Sequence, residues 1–100
     1  MIFNIQEKDG GMYASINGRL DTPTAVTAQQ EIAPLLENAD KEITLDCSGL
    51  EYISSSGLRL FLTIRKEAAN KNGKVIITNI NEDIKKVFMM TGFFNLFEIR

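Results

Sequence analysis

The sequence predicts one α/β domain with a mixed, mostly parallel β-sheet and helices packed against it, in the order β-β-α-β-α-β-α-β. Three observations carry this. Two alternating runs, IFNIQEK and MYASINGRL, flank the turn chemistry of Asp9-Gly10-Gly11 and read as an antiparallel hairpin. Helix-period and strand-type runs then take turns along the rest of the chain, the pattern of parallel crossovers, right-handed by the general rule. Every connection is short, with no linker, repeat or inserted module. At 100 residues the chain can bury one modest core but not two, so a single domain is expected over residues 1–100.

Taken in order, Phe3 and Ile5 alternate in the first strand, and Met12, Ala14, Ile16 and Leu20 face inward in the second, opposite Tyr13, Ser15 and Asn17. Thr22-Pro23 offers an N-cap and a proline at the first helical position, after which Ala25, Ala28, Ile32, Leu35 and Leu36 recur at helical spacing. Pro34 lies inside that run. It removes a hydrogen bond and crowds the preceding turn, which predicts a kink or break near residues 30–34. EITLDCS returns to strand, with Ile43, Leu45 and Cys47 on one face, and residues 46–58 are expected to form a loop beyond it. Leu58, Phe61, Leu62, Ala68 and Ala69 define a second, broadly apolar helix stopped by Asn72-Gly73. VIITNI reads as a central strand buried on both sides, Asn81 caps a third helix through Ile84, Val87 and Phe88, and Gly92 ends it before a final strand in FNLFEI.

Composition narrows the function. With 44% hydrophobic and 24% charged residues the chain should fold as an ordinary globular protein, and a net charge of -2 without clustered Lys and Arg argues against direct nucleic-acid or membrane-surface binding. The single Cys47 excludes an intramolecular disulfide framework, and the opening MIFNIQEKD lacks the pattern of a secretory signal, so a reducing cytoplasm is the expected location. No run approaches the roughly 20 apolar residues that span a bilayer. There is no histidine, which removes the usual general base of serine hydrolases and the commonest zinc and iron ligand. No enzyme, cofactor or metal is expected.

Two junctions stand out, one at residues 18–22 after the second strand and one at residues 46–58 after the third. Parallel neighbouring strands would open both onto one edge, where ligands and partners of such sheets usually meet the fold. The second junction holds Ser54-Ser55-Ser56 ahead of an apolar helix, and one of the three should cap its free N–H groups. Three hydroxyls exceed the need of one cap. The helix terminus would also stabilise an added phosphate, so a serine there suits a phospho-acceptor. A hydrolytic nucleophile would lack a base better than Asp21, Asp46 or Glu51, and SSSGL matches neither phosphate-cradle fingerprint. Asp21 and Asp46 have structural readings as dipole partner and loop acceptor, with Thr22 filling the cap, and Cys47 reads as a small buried hydrophobe. Met89-Met90 and Phe93-Phe94 read as core and rim, and as an adaptable docking patch if exposed.

The run GRLD at 18–21, followed by a helix, together with DCSGLEYISSSGLR at 46–59, closely resembles the STAS domain of bacterial anti-sigma factor antagonists. The family pattern is G-x-L-D near the end of the second strand and D-x-S-x-x-x-x-[IM]-D-S-S-G-L after the third. The resemblance implies a mixed sheet with packed helices, and regulation by partner switching. In the family, the unphosphorylated domain binds an anti-sigma factor that is also a serine kinase and so frees a sigma factor. Phosphorylation breaks the association, and a serine phosphatase restores it. Aligned on S-S-G-L, the phospho-acceptor falls on Ser55, and the docking face on Asp21, Thr22, Ser54, Ser56, Gly57, Leu58, Arg59 and Leu60. Two departures are visible. Ser54 stands where the family carries aspartate, and Arg100 follows soon after the final strand where many relatives continue into a further helix, so weak homodimerisation could replace a partner surface there. The rival reading is a scaffold or small-ligand sensor of the same fold without a phospho-switch.

Overall fold

Asp9 and Gly10 both adopt positive φ, 54° and 79°, the backbone that a two-residue turn between right-twisted strands requires. In this computed structural model, which describes residues 2–100, β1 (Phe3–Lys8) and β2 (Gly11–Leu20) therefore pair antiparallel, from Phe3↔Ile16 to Lys8↔Gly11. The remaining strands, β3 (Glu42–Ile53), β4 (Lys74–Thr78) and β5 (Glu98–Ile99), continue the sheet in sequential order, with β2 to β5 parallel.

That order has a consequence. Each parallel crossover moves one strand in the same direction, so connections of one hand place their helices on the same face. Helices α1 (Thr22–Glu31), α2 (Ala33–Glu37), α3 (Ser55–Asn70) and α4 (Glu82–Thr91) all contribute to a single apolar cluster with the inward residues of the sheet. Met12, Ala14, Ile16 and Leu20 of β2 and Ile43, Leu45 and Cys47 of β3 are buried beneath them. The opposite face, with Tyr13, Ser15, Thr44 and Asp46, is half-exposed. Ile76 is the exception there: it is buried but stands outside the main cluster, so β4 is covered on both sides.

The break expected near Pro34 is present. Helix α1 stops at Glu31, Ile32 serves as its C-cap and as the N-cap of α2, and Pro34 occupies the first turn of α2, where no amide hydrogen is needed. Asn72 takes the left-handed conformation that ends α3 (φ 62°), while Gly73 is required for space, since a Cβ there would fall 1.8 Å from the Ala39 carbonyl oxygen.

Four expectations are corrected. Strand β3 runs on through residues expected to form a loop, because Leu50 and Ile53 also bury. It does so with register shifts at Ser15/Asn17 and Gly18/Arg19, each leaving one extra residue in β3, and Gly49 makes room for the Asn17 side chain. Leu62 and Ala69 lie on the exposed side of α3, where Leu60 and Ile64 instead complete its buried face. FNLFEI is mostly not strand. After Gly92 (φ 81°) a 3-10 turn over Phe93–Asn95 brings Phe93 and Phe97, four residues apart, into an aromatic cluster with Phe61 and Phe88, leaving two residues for β5. Met89 and Met90 are not core: they are 62% and 87% exposed.

Candidate functional site

Strands β2 and β3 end side by side, Leu20 opposite Ile53, and each passes through a single residue into a helix. At the first junction that residue is Asp21. Its carboxylate Oδ1 accepts from the Thr24 backbone N–H at 3.1 Å, and its own N–H donates to Thr24 Oγ1 at 2.8 Å. This is a complete capping box. The N-cap is thus Asp21 and not Thr22, which sits at the first helical position. A cap at Thr22 would have placed Ala25 at the reciprocating position, with no side chain to answer. The hydrogen bonds from Thr24, backbone first and then side chain, hold the Asp21 carboxyl below its ordinary range.

At the second junction the residue is Ser54. Its Oγ accepts from the Gly57 N–H at 3.2 Å and donates to the Leu20 carbonyl at 3.0 Å, while its backbone N–H donates to the same carbonyl at 2.9 Å. Ser54 therefore caps α3, and adds a donated bond that a carboxylate could not make. Gly57 sits in the first turn of α3 against both strand ends. A Cβ there would meet Ile53 Cγ1 and Leu20 Cγ at 2.8 Å and the Leu20 carbonyl oxygen at 2.9 Å. The serine-glycine sequence is what lets α3 start directly on top of Leu20 and Ile53.

With Ser54 occupied, Ser55 is exposed at the first position of α3 and Ser56 is half-exposed behind it. Among the described residues neither hydroxyl enters a side-chain hydrogen bond. Leu58 and Leu60 turn inward, so from that stretch Arg59 is the side chain that faces out. Arg59 borders a groove of about 320 Å³ between α1 and α3, lined also by Thr22, Val26, Ser56, Leu60 and Thr63. Larger hollows of about 440 and 380 Å³ lie near Tyr13, around the hairpin turn and along β1, away from the serines. Beside the two junctions, Arg19 stacks on the Tyr52 ring at 4.3 Å, a contact that alternation could not foretell because the second register shift creates it.

Asp46 and Cys47 lie outside this constellation. Desolvation would raise the Asp46 carboxyl, but hydrogen bonds from Asn79, from the Ser48 N–H and hydroxyl and from Tyr13 outweigh it and hold the carboxyl low. Its acceptor capacity is spent on structure. Burial, and then the Asp46 charge, push the Cys47 thiol up to about 12, which leaves it an inert core group.

A sequence model of the STAS domain matches residues 3–100. The chain belongs to the STAS domain family. Among curated relatives, this STAS domain is 26% identical over 99 residues to BtrV of Bordetella bronchiseptica, covering 99% of this chain and 85% of BtrV. It is 25% identical over 97 residues to the anti-sigma-B factor antagonist of Bacillus subtilis, covering 96% of this chain and 87% of the relative. The STAS fold is shared with SpoIIAA of Bacillus in its unphosphorylated form at TM-score 0.80 and 21% identity, over 98% of this chain and 87% of that one. Among the described residues no helix is long and apolar enough to cross a membrane.

Proposed function

We propose that this STAS domain is an anti-sigma factor antagonist controlled by phosphorylation of Ser55. Unmodified, it binds an anti-sigma factor that is also a serine kinase, in the cytoplasm. The kinase transfers the γ-phosphoryl group of ATP to Ser55 Oγ, the hydroxyl proton leaves with ADP as the other product, and the complex separates. A serine phosphatase hydrolyses the ester and restores binding. The role is regulatory rather than enzymatic.

The observation that carries this reading is the division of labour among the three serines. Ser54 is consumed as the cap, whereas Ser55 offers an exposed hydroxyl at the same helix start. The first turn of α3 contains no acidic residue, unlike that of α4, which holds Glu82 and Asp83. An added phosphate of about -1.5 to -2 charges meets a favourable helix field there without disturbing the cap. The same dianion in a close interface repels acidic groups opposite and strands apolar ones. The docking face comprises Asp21, Thr22, Ser54, Ser56 and Arg59, with Gly57, Leu58 and Leu60 fixing the helix that presents them. The family relationship and the anti-sigma-B factor antagonist name of the Bacillus subtilis relative support the partner class.

The test is to incubate the chain with its cognate kinase and ATP and map the site by mass spectrometry, expecting phosphate on Ser55 alone. Ser55→Ala should retain affinity for the kinase, and Ser55→Asp should lose about 100-fold or more, by analogy with an uncompensated charge in an interface. Phosphate on another residue would overturn the assignment to Ser55, and equal affinity for Ser55→Asp would replace this reading with that of an unswitched scaffold.

A further inference from the structure

We propose that a phosphate on Ser55 is held by Arg59 of the same helix, so that modification withdraws an exposed cation from the docking face while adding an anion to it. The inference rests on the phospho-switch reading above and specifies how the switch acts.

Ser55 and Arg59 are four residues apart in α3 and both are exposed. That spacing stacks two side chains on one helix face, and an anion placed N-terminal to the cation is the better orientation. Helix side chains lean toward the N-terminus, so the long Arg59 chain reaches back over the turn that holds Ser55. Burial of Leu58 and Leu60 on either side pins the rotation of the helix and with it the outward aim of Arg59. Among the described residues Arg59 belongs to no ion pair. Its neighbours three and four positions away are Ser55, Ser56, Leu62 and Thr63, none of them acidic, so no carboxylate of its own helix competes. A guanidinium presents a planar fork that matches two phosphate oxygens.

In the unmodified chain the same guanidinium borders the α1–α3 groove, where it suits a carboxylate on the partner. Phosphorylation then acts twice on the same interface: it supplies negative charge beside the groove and ties down the cation that an acidic partner residue would meet.

The pair can be tested without any kinase by installing phosphoserine at position 55 through chemical ligation and following the phosphate by phosphorus NMR as a function of pH. The second ionisation of phosphoserine lies near pH 6. The expected result is a value lower by about 0.3 unit or more with Arg59 than with Arg59→Gln, with Arg59→Lys in between. Asp21 pushes the phosphate in the opposite direction and the helix amides act equally in every variant, so the difference reports the pair alone. The Arg59 Nε resonance should move over the same pH range. Coincident titration curves for the parent chain and Arg59→Gln would overturn the proposal. Failure of a kinase to modify Ser55 would instead count against the switch itself.

Discussion

The starts of α1 and α3 are built alike and differ in what they leave over. Both helices follow a strand through a single capping residue, and both caps close on backbone amides in the first turn. At α1 the chemistry is complete. Asp21 and Thr24 satisfy one another, and Thr24 Oγ1 also lies 2.8 Å from the Arg19 carbonyl, which it can reach as a donor. At α3 one serine does the whole task and two more hydroxyls stand beside it. A cap that exhausts its polar groups is a structural device. A cap with hydroxyls to spare can take a modification without unravelling the helix.

The contrast can be broken most forcefully at Gly57. Gly57→Ala should destabilise the domain by about 2 to 3 kcal/mol, because the new methyl meets the Leu20 carbonyl oxygen and two core side chains at once. Urea denaturation would measure this. An unchanged midpoint would mean that α3 can lift off the strand ends. The next effect is at the cap. Ser54→Ala removes both the bond to the Gly57 amide and the bond to the Leu20 carbonyl, and should cost about 1 kcal/mol or somewhat more. Ser55→Ala should leave the midpoint where it is. Equal losses for the two serines would erase the division of labour on which the proposed switch depends.

The smallest effect separates the two junctions by pH. The Asp21 carboxyl is held low in the folded chain, so its contribution is present above its unfolded value, near pH 4, and is lost as pH falls through the lower folded value. Asp21→Asn should be nearly as stable as the parent at pH 7, since asparagine also caps, and should lose less stability between about pH 5 and pH 3. No such difference is expected between Ser54→Ala and its parent, because serine does not titrate there. Melting temperatures across that range would show whether the two caps part in this way.

Much of this domain was legible from local pattern. The hairpin turn at Asp9-Gly10, the break near Pro34, the Asn81 cap and the Gly92 stop each follow from backbone preferences of one or two residues. The junction serines announced themselves by type and by the motif around them. Thr22-Pro23 is also a good start signal, so local pattern does not single out Asp21 as the cap; the choice turns on which alternative gives the third helical position a side chain able to reply.

Sequence by itself determined the order of the main strands and helices, the parallel pairing of β2 with β3 and the two junctions that carry the site, because turn residues and hydrophobic period act over a few neighbours. Tertiary structure decided the rest. It extended β3 to Ile53 by inserting two extra residues against β2, which brought Ser54 onto the Leu20 carbonyl. It chose Ser54 as the cap, leaving Ser55 free, and buried Leu58 and Leu60 so that Arg59 points outward. Those outcomes depend on contacts between residues more than thirty positions apart, Leu20 with Ser54 above all, and no local propensity encodes the register in which two strands end.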